Sequence, residues 1–147
     1  MSSTRVQHYL GRARDFLKGM ENLLNDEVYV LEDDLIQFKY SPALLGIHSA
    51  ISYCDALRSG LGSKSLSSED HKTALKDLKT LLTSRKYEEQ QGSGRLEILL
   101  ADKNLIAYSE DRATEKEIRS IVQQAERFAL WAERTARRLK IEGWGDD

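Results

Sequence analysis

An all-α bundle of about five helices is the fold class this sequence predicts, and three observations predict it. Apolar residues recur at alternating spacings of three and four along five separate stretches, the period that lines one face of a helix. No segment alternates polar and apolar residues for long enough to build a sheet. Proline, the residue that most disfavours a helix interior, occurs once in 147 residues. The length suits one domain, so residues 1–147 read as a single helical domain, with 141–147 as a short C-terminal tail.

The elements follow in chain order. Val6, Leu10, Ala13, Leu17, Met20 and Leu24 form one stripe and predict a first helix over about 3–24. Residues 26–39 keep nearly the same spacing through Val28, Leu31, Leu35 and Phe38 and are read as helix, although Val28-Tyr29-Val30 also suits a strand. Ser41-Pro42 reads as an N-cap followed by proline at the first helical position, opening a second long helix over about 42–59. Its buried side is marked by Leu44, Ile47, Ile51, Cys54 and Leu57 or Arg58, and Gly60 and Gly62 stop it. A serine-rich loop over 59–68 leads to Ser67-Ser68-Glu69-Asp70, which resembles a capping box and predicts a helix from Ser67 to about Arg85 through Leu75, Leu78 and Leu82. Gly92-Ser93-Gly94 reads as a break before a helix carrying Leu96, Leu99, Leu100, Leu105 and Ile106. Thr114-Glu115-Lys116-Glu117 is a clear capping box, and the last helix places Ile118, Ile121, Ala125, Phe128, Ala132 and Leu139 on one stripe.

Composition excludes several functions. With 22 Lys+Arg against 24 Asp+Glu the formal charge is −2, which argues against a nonspecific coat for nucleic acid but leaves room for a local basic site. Cys54 is alone, so neither a disulfide framework within the chain nor a thiolate zinc cluster is available. The histidines at 8, 48 and 71 make no HxxxH or HExxH pair, and neither a metal nor another cofactor is expected. Apolar runs are only a few residues long and the polar start Met1–His8 has no signal-peptide core, so no membrane span is expected and the cytoplasm is the expected location.

Lys103-Asn104-Leu105-Ile106-Ala107-Tyr108 resembles the RNxxxH signature of HEPN domains, helical proteins of prokaryotic toxin–antitoxin, nucleotidyltransferase-linked and defence systems. The likeness extends over Tyr40–Leu82, with Gly46-Ile47-His48-Ser49-Ala50-Ile51 and Asp55-Ala56-Leu57, and over Lys103–Leu139, with Ala125-Glu126-Arg127-Phe128. In active HEPN ribonucleases the motif Arg and His lie near a dimer interface and cleave RNA without a metal. That chemistry needs a base for the 2′-hydroxyl, an acid for the leaving oxygen and fixed positive charge for the phosphorane. Here Lys103 stands at the Arg position, Tyr108 at the His position, and Asn104 is retained. Lysine keeps the charge without the bidentate fork, and a tyrosine of pKa near ~10 is a poor base at neutral pH. The resemblance therefore implies a HEPN-like homodimer, non-catalytic or weakly active, that binds RNA, a nucleotide or a cognate toxin–antitoxin or nucleotidyltransferase-type protein. Lys103, Asn104 and Tyr108 are its ligand-binding residues, and Lys103 and Tyr108 are the candidates for any residual catalysis. Two alternatives stand beside it: a divergent metal-independent HEPN ribonuclease, and a helical scaffold.

Further candidates come from helix geometry. His48, Ser52 and Asp55 share one face of the second helix, and His48 and Asp55 are carried as ligand-binding candidates. They are no hydrolase triad, because one straight helix cannot make them converge and no GxSxG elbow exists. Arg134, Arg137 and Arg138 stand at i, i+3 and i+4 and form a basic face, read either as a partner for the helix dipole or as a phosphate-contacting patch. Trp144, in an acidic tail between glycines, is either a clasp onto the body or a partner contact.

Overall fold

A computed structural model of the chain describes residues 2–25, 36–64, 70–107 and 114–146. They form five helices: α1 (Ser2–Leu24), α2 (Ile36–Gly60), α3 (His71–Ser84), α4 (Gln91–Ala107) and α5 (Glu115–Arg138). Among the described residues there is no strand. Helix α2 lies at the centre and touches the other four, while α5 closes the bundle against α1, α2 and α4. The core forms where the five stripes meet: Val6, Leu10, Ala13 and Met20 of α1, Ile47, Cys54 and Leu57 of α2, Leu75, Leu78 and Leu82 of α3, Leu96 and Leu99 of α4, and Ile118, Ile121, Ala125, Phe128 and Ala132 of α5. Gly46 lets α1 and α5 approach α2 closely, since a Cβ there would sit 2.9 Å from Met20 Sδ and 3.0 Å from Ala125 Cβ. Among the described residues no helix is long and apolar enough to cross a membrane.

Expected boundaries at Ser41-Pro42, at Ser67 and at Gly92 are corrected. Helix α2 does not begin at Ser41-Pro42: Pro42 lies inside a helix that starts at Ile36. An interior proline forgoes the bond to the carbonyl four residues back and crowds that carbonyl with its ring; here Pro42 is itself buried in the bundle with Ala43 and Gly46, so packing holds the turn helical. Of the expected helix over 26–39, residues 36–39 belong to α2 and 26–35 lie outside the described residues. The capping role expected of Ser67 falls to Asp70, whose carboxylate accepts from Thr73 N at 2.7 Å, so α3 opens at His71.

Gly92-Ser93-Gly94 is no break either, because α4 runs through it from Gln91. Its first glycine serves close approach. A Cβ on Gly92 would lie 2.0 Å from Trp131 Cδ2, so the indole rests directly on the α4 backbone and donates from Nε1 to Glu89 O at 2.8 Å. The capping box at Thr114 forms as expected, with Glu117 N donating to Thr114 Oγ1 at 3.1 Å and Thr114 N donating to Glu117 Oε1 at 3.0 Å.

Two polar clusters fix the helices to one another. Arg58, with 0% of its surface exposed, donates from Nε to Asp77 at 2.8 Å and from Nη1 to Asp55 at 3.1 Å, linking α2 to α3, and Ser63 adds a hydroxyl bond to Asp77 at 2.6 Å. On the other side Glu133 of α5 receives two bonds of 2.9 Å from Arg14, one of 2.8 Å from Tyr53 and one of 2.8 Å from the Trp144 indole. Trp144 also stacks on Tyr53, with centroids 6.2 Å apart. The tail is thus clasped to α1, α2 and α5 through one carboxylate. Burial works against that carboxylate's ionisation, but the bonds from Arg14, Trp144 and Tyr53 outweigh it and hold its pKa below the usual glutamate value.

Candidate functional site

The site is built where α3 begins and α4 approaches its end. His71 is the first residue of α3, and its imidazole faces Lys103 of α4, with Lys103 Nζ 3.1 Å from His71 Nε2. An ammonium has only donors, so the bond requires Nε2 to be the unprotonated ring nitrogen. Burial, then the charges of Lys103 and His48, lower the His71 pKa, while Asp70 opposes them. His48 of α2 belongs to the same neighbourhood: the residue is exposed, yet partial desolvation, Lys103 and Arg12 lower its pKa as well. The arrangement is two imidazoles kept neutral at pH 7 beside a cationic amine. Such a group can hold an anion through Lys103 and can accept a proton at His48, whereas the one acceptor nitrogen of neutral His71 is engaged by Lys103.

Beyond this point a groove of about 960 Å³ opens between α3 and α4. Lys72, Lys76 and Lys79 of α3 and Lys103 of α4 stand along it, over an apolar floor that includes Leu75 and Leu100. Asp70 and Glu97 are its acidic members; Asp70 is engaged as the α3 cap, and Glu97 pairs with Lys79 at 3.9 Å. Four ammonium groups against two carboxylates leave the groove positive in a chain whose formal charge is −2. A cleft that reverses the sign of the whole protein concentrates anions locally.

The structure thus brings His48 and Lys103 together and adds His71, which is not among the site residues expected from the sequence. The missed signal is a contact between residues 32 apart in the chain, which no local periodicity records. Asn104 follows Lys103 on the α4 backbone, and Tyr108 lies outside the described residues. Asp55 borders the same narrow crevice as His71, of about 10 Å³, but its carboxylate is bound to Arg58 rather than to His48. Burial raises the Asp55 pKa, and the Arg58 guanidinium holds back part of that rise. Cys54 is buried, and burial, reinforced by Asp55, drives its thiol far above the ordinary range, so it is no nucleophile at neutral pH.

The basic face on α5 stands apart from this groove. Arg138 pairs with Glu89 at 2.5 Å and Arg134 approaches the same carboxylate at 3.9 Å, while Arg137 is exposed. Glu89 precedes α4, whereas Lys103 lies twelve residues past its start, roughly 18 Å along the axis. Among the described residues no cluster of three or more His, Cys, Asp or Glu could hold a metal ion. Comparisons with protein-family models, with curated proteins and with solved structures return no match.

Proposed function

We propose that the chain is a HEPN-like binding module that holds a phosphate-bearing ligand, RNA or a nucleotide, without cutting it, and that it acts as a homodimer. The observation that carries the reading is the position of Lys103: the lysine that stands at the Arg position of the RNxxxH signature reaches His71 at the head of a cationic groove. The helical bundle is the fold class that the resemblance implies. An ammonium neutralises phosphate charge as a point charge and orients a phosphorane less well than a guanidinium, so binding outlives turnover.

The test is fluorescence anisotropy with a labelled RNA oligonucleotide and a labelled adenine nucleotide, at low and high salt. Lys103→Ala should weaken binding with little change in melting temperature, and salt should weaken the wild type. No binding by the wild type at low salt favours the scaffold. Light scattering that gives a monomer mass at micromolar concentration removes the dimer.

One observation favours the enzymatic alternative. His48, neutral near Lys103, can accept a proton as a tyrosine at pH 7 cannot, with His71 holding the Lys103 ammonium in place. A metal-independent ribonuclease of this kind would cleave RNA in the presence of a chelator and lose cleavage on His71→Ala, on His48→Ala or on Tyr108→Phe. The expected result for the wild type is no cleavage, with some gained only in Lys103→Arg combined with Tyr108→His.

A further inference from the structure

The phosphate-binding reading leaves open whether the ligand ends at Lys103 or runs on. Lys72, Lys76 and Lys79 are exposed and stand at i, i+4 and i+7, along one side of α3 and beside the groove. At ~1.5 Å per residue their backbone positions span roughly 10 Å, about three steps of a stacked nucleic-acid strand at ~3.4 Å each. A single phosphate cannot reach all of them, because each ammonium is a separate point charge on its own stem. The groove volume of about 960 Å³ stands at the upper end of the ~300–1,000 Å³ that enclose a whole small ligand. Between the walls lie Leu75, Leu100 and Ala101, an apolar surface suited to the faces of bases and without use to a bare phosphate chain.

We propose that the α3–α4 groove takes a single-stranded oligonucleotide, with its backbone running along the Lys72–Lys76–Lys79 row from the His71–Lys103 end and its bases over Leu75 and Leu100. This rests on the phosphate-binding reading and adds the class of ligand. The strand is recognised by charge spacing and apolar contact, so RNA and DNA of equal length bind alike. A mononucleotide fills only the Lys103 end.

The experiment measures anisotropy of labelled octauridylate, labelled octathymidylate and a labelled adenine mononucleotide between 50 and 200 mM salt. The proteins are the wild type, Lys103→Ala and the triple variant Lys72→Ala, Lys76→Ala, Lys79→Ala. Four ammonium contacts give a slope of log affinity on log salt near about −2.8, or roughly a 50-fold loss over that range; one contact gives about −0.7, or roughly 3-fold. The expected result is the steep slope for both octamers on the wild type and the shallow one on the triple variant, which loses far more octamer affinity than mononucleotide affinity. All three lysines are exposed, and circular dichroism of the triple variant should match the wild type.

Octamer binding by the folded triple variant with wild-type affinity and slope overturns the proposal and leaves the phosphate-binding reading standing. Absence of binding by the wild type to any of the probes overturns both. Inorganic polyphosphate that displaces the octamers at equal phosphate concentration overturns the oligonucleotide assignment, because the apolar floor then contributes nothing.

Discussion

Gly92→Ala in α4 is the sharpest test of the packing, because two physical effects give it opposite signs. Alanine in place of glycine inside a helix gains about 0.5–1 kcal/mol from the unfolded state and from helix propensity. Against that gain, the new Cβ would lie 2.0 Å from Trp131 Cδ2, 2.3 Å from Cε3 and 2.5 Å from Cε2, and ordinary contact needs more than an ångström of retreat. The indole has little room for that, since Trp131 is 2% exposed and tied through Nε1 to Glu89 O. Overpacking of this kind costs about 1–3 kcal/mol, and a lost indole bond leaves a buried donor worth about 1–3 more. The net expectation is destabilisation of about 2–4 kcal/mol, or roughly 6–12 °C in melting temperature for a domain of this size. Gly94→Ala is the internal control: it lies in the same helix, is exposed and would meet nothing within 4 Å, so it should be neutral or stabilising. Thermal and urea denaturation of both variants decide the matter. A Gly92→Ala protein as stable as the wild type would refute the seating of the indole on α4.

Arg58→Met removes a buried cation and leaves Asp55 and Asp77 facing each other's charge, so urea denaturation at pH 7 should show a loss of about 3 kcal/mol; Lys79→Met, whose ion pair is exposed, should change stability by less than about 0.5 kcal/mol. Glu133 is held below its ordinary value of 4.5, so its stabilisation is fully present above that pH and is lost as the pH falls through the lower folded value. Glu133→Gln should therefore cost about 2 kcal/mol at pH 7 and lose its effect progressively as the pH falls below 4.5, with Trp144 emission as a second readout. His48 and His71 are held below 6.5, so the unfolded chain takes up protons first and stability falls as the pH drops below that value. Lys103→Met should raise both imidazole titrations as followed by NMR, and unchanged midpoints would separate Lys103 from the histidines.

The five helices were legible because each carries its own apolar stripe, and a stripe is a local property. Misread features all take their meaning from a distant partner. Gly92 looks like a helix break until Trp131, thirty-nine residues on, is placed above it. Pro42 looks like a helix start, because its rule weighs the lost bond and the ring's clash with the preceding turn and not the burial that holds this turn in the bundle. Arg58 was correctly placed on the buried side of its helix, but the partner that makes its burial tolerable, Asp77, comes from another helix. At the site, Lys103 was found through its motif and His48 through its helix face. Asp55 was grouped with His48 on one helix face, although Arg58 stands three residues away, the spacing at which opposite charges meet on a helix. His71 had no local signal pointing to Lys103.

Gly143, with φ of +87°, brings the segment after α5 against the first turn of α1, where a Cβ would come within 2.8 Å of Ser3 Cα and Ser3 O. The path of the chain is therefore nearly a ring: it leaves the bundle beside the point where it came in. Groups fused before Ser3 and after Gly143 would emerge side by side and lie within reach of each other. Covalent closure there would need only a short linker and would leave the helices undisturbed. For a ring of this size the restriction falls on the unfolded chain and amounts to about 5 kcal/mol.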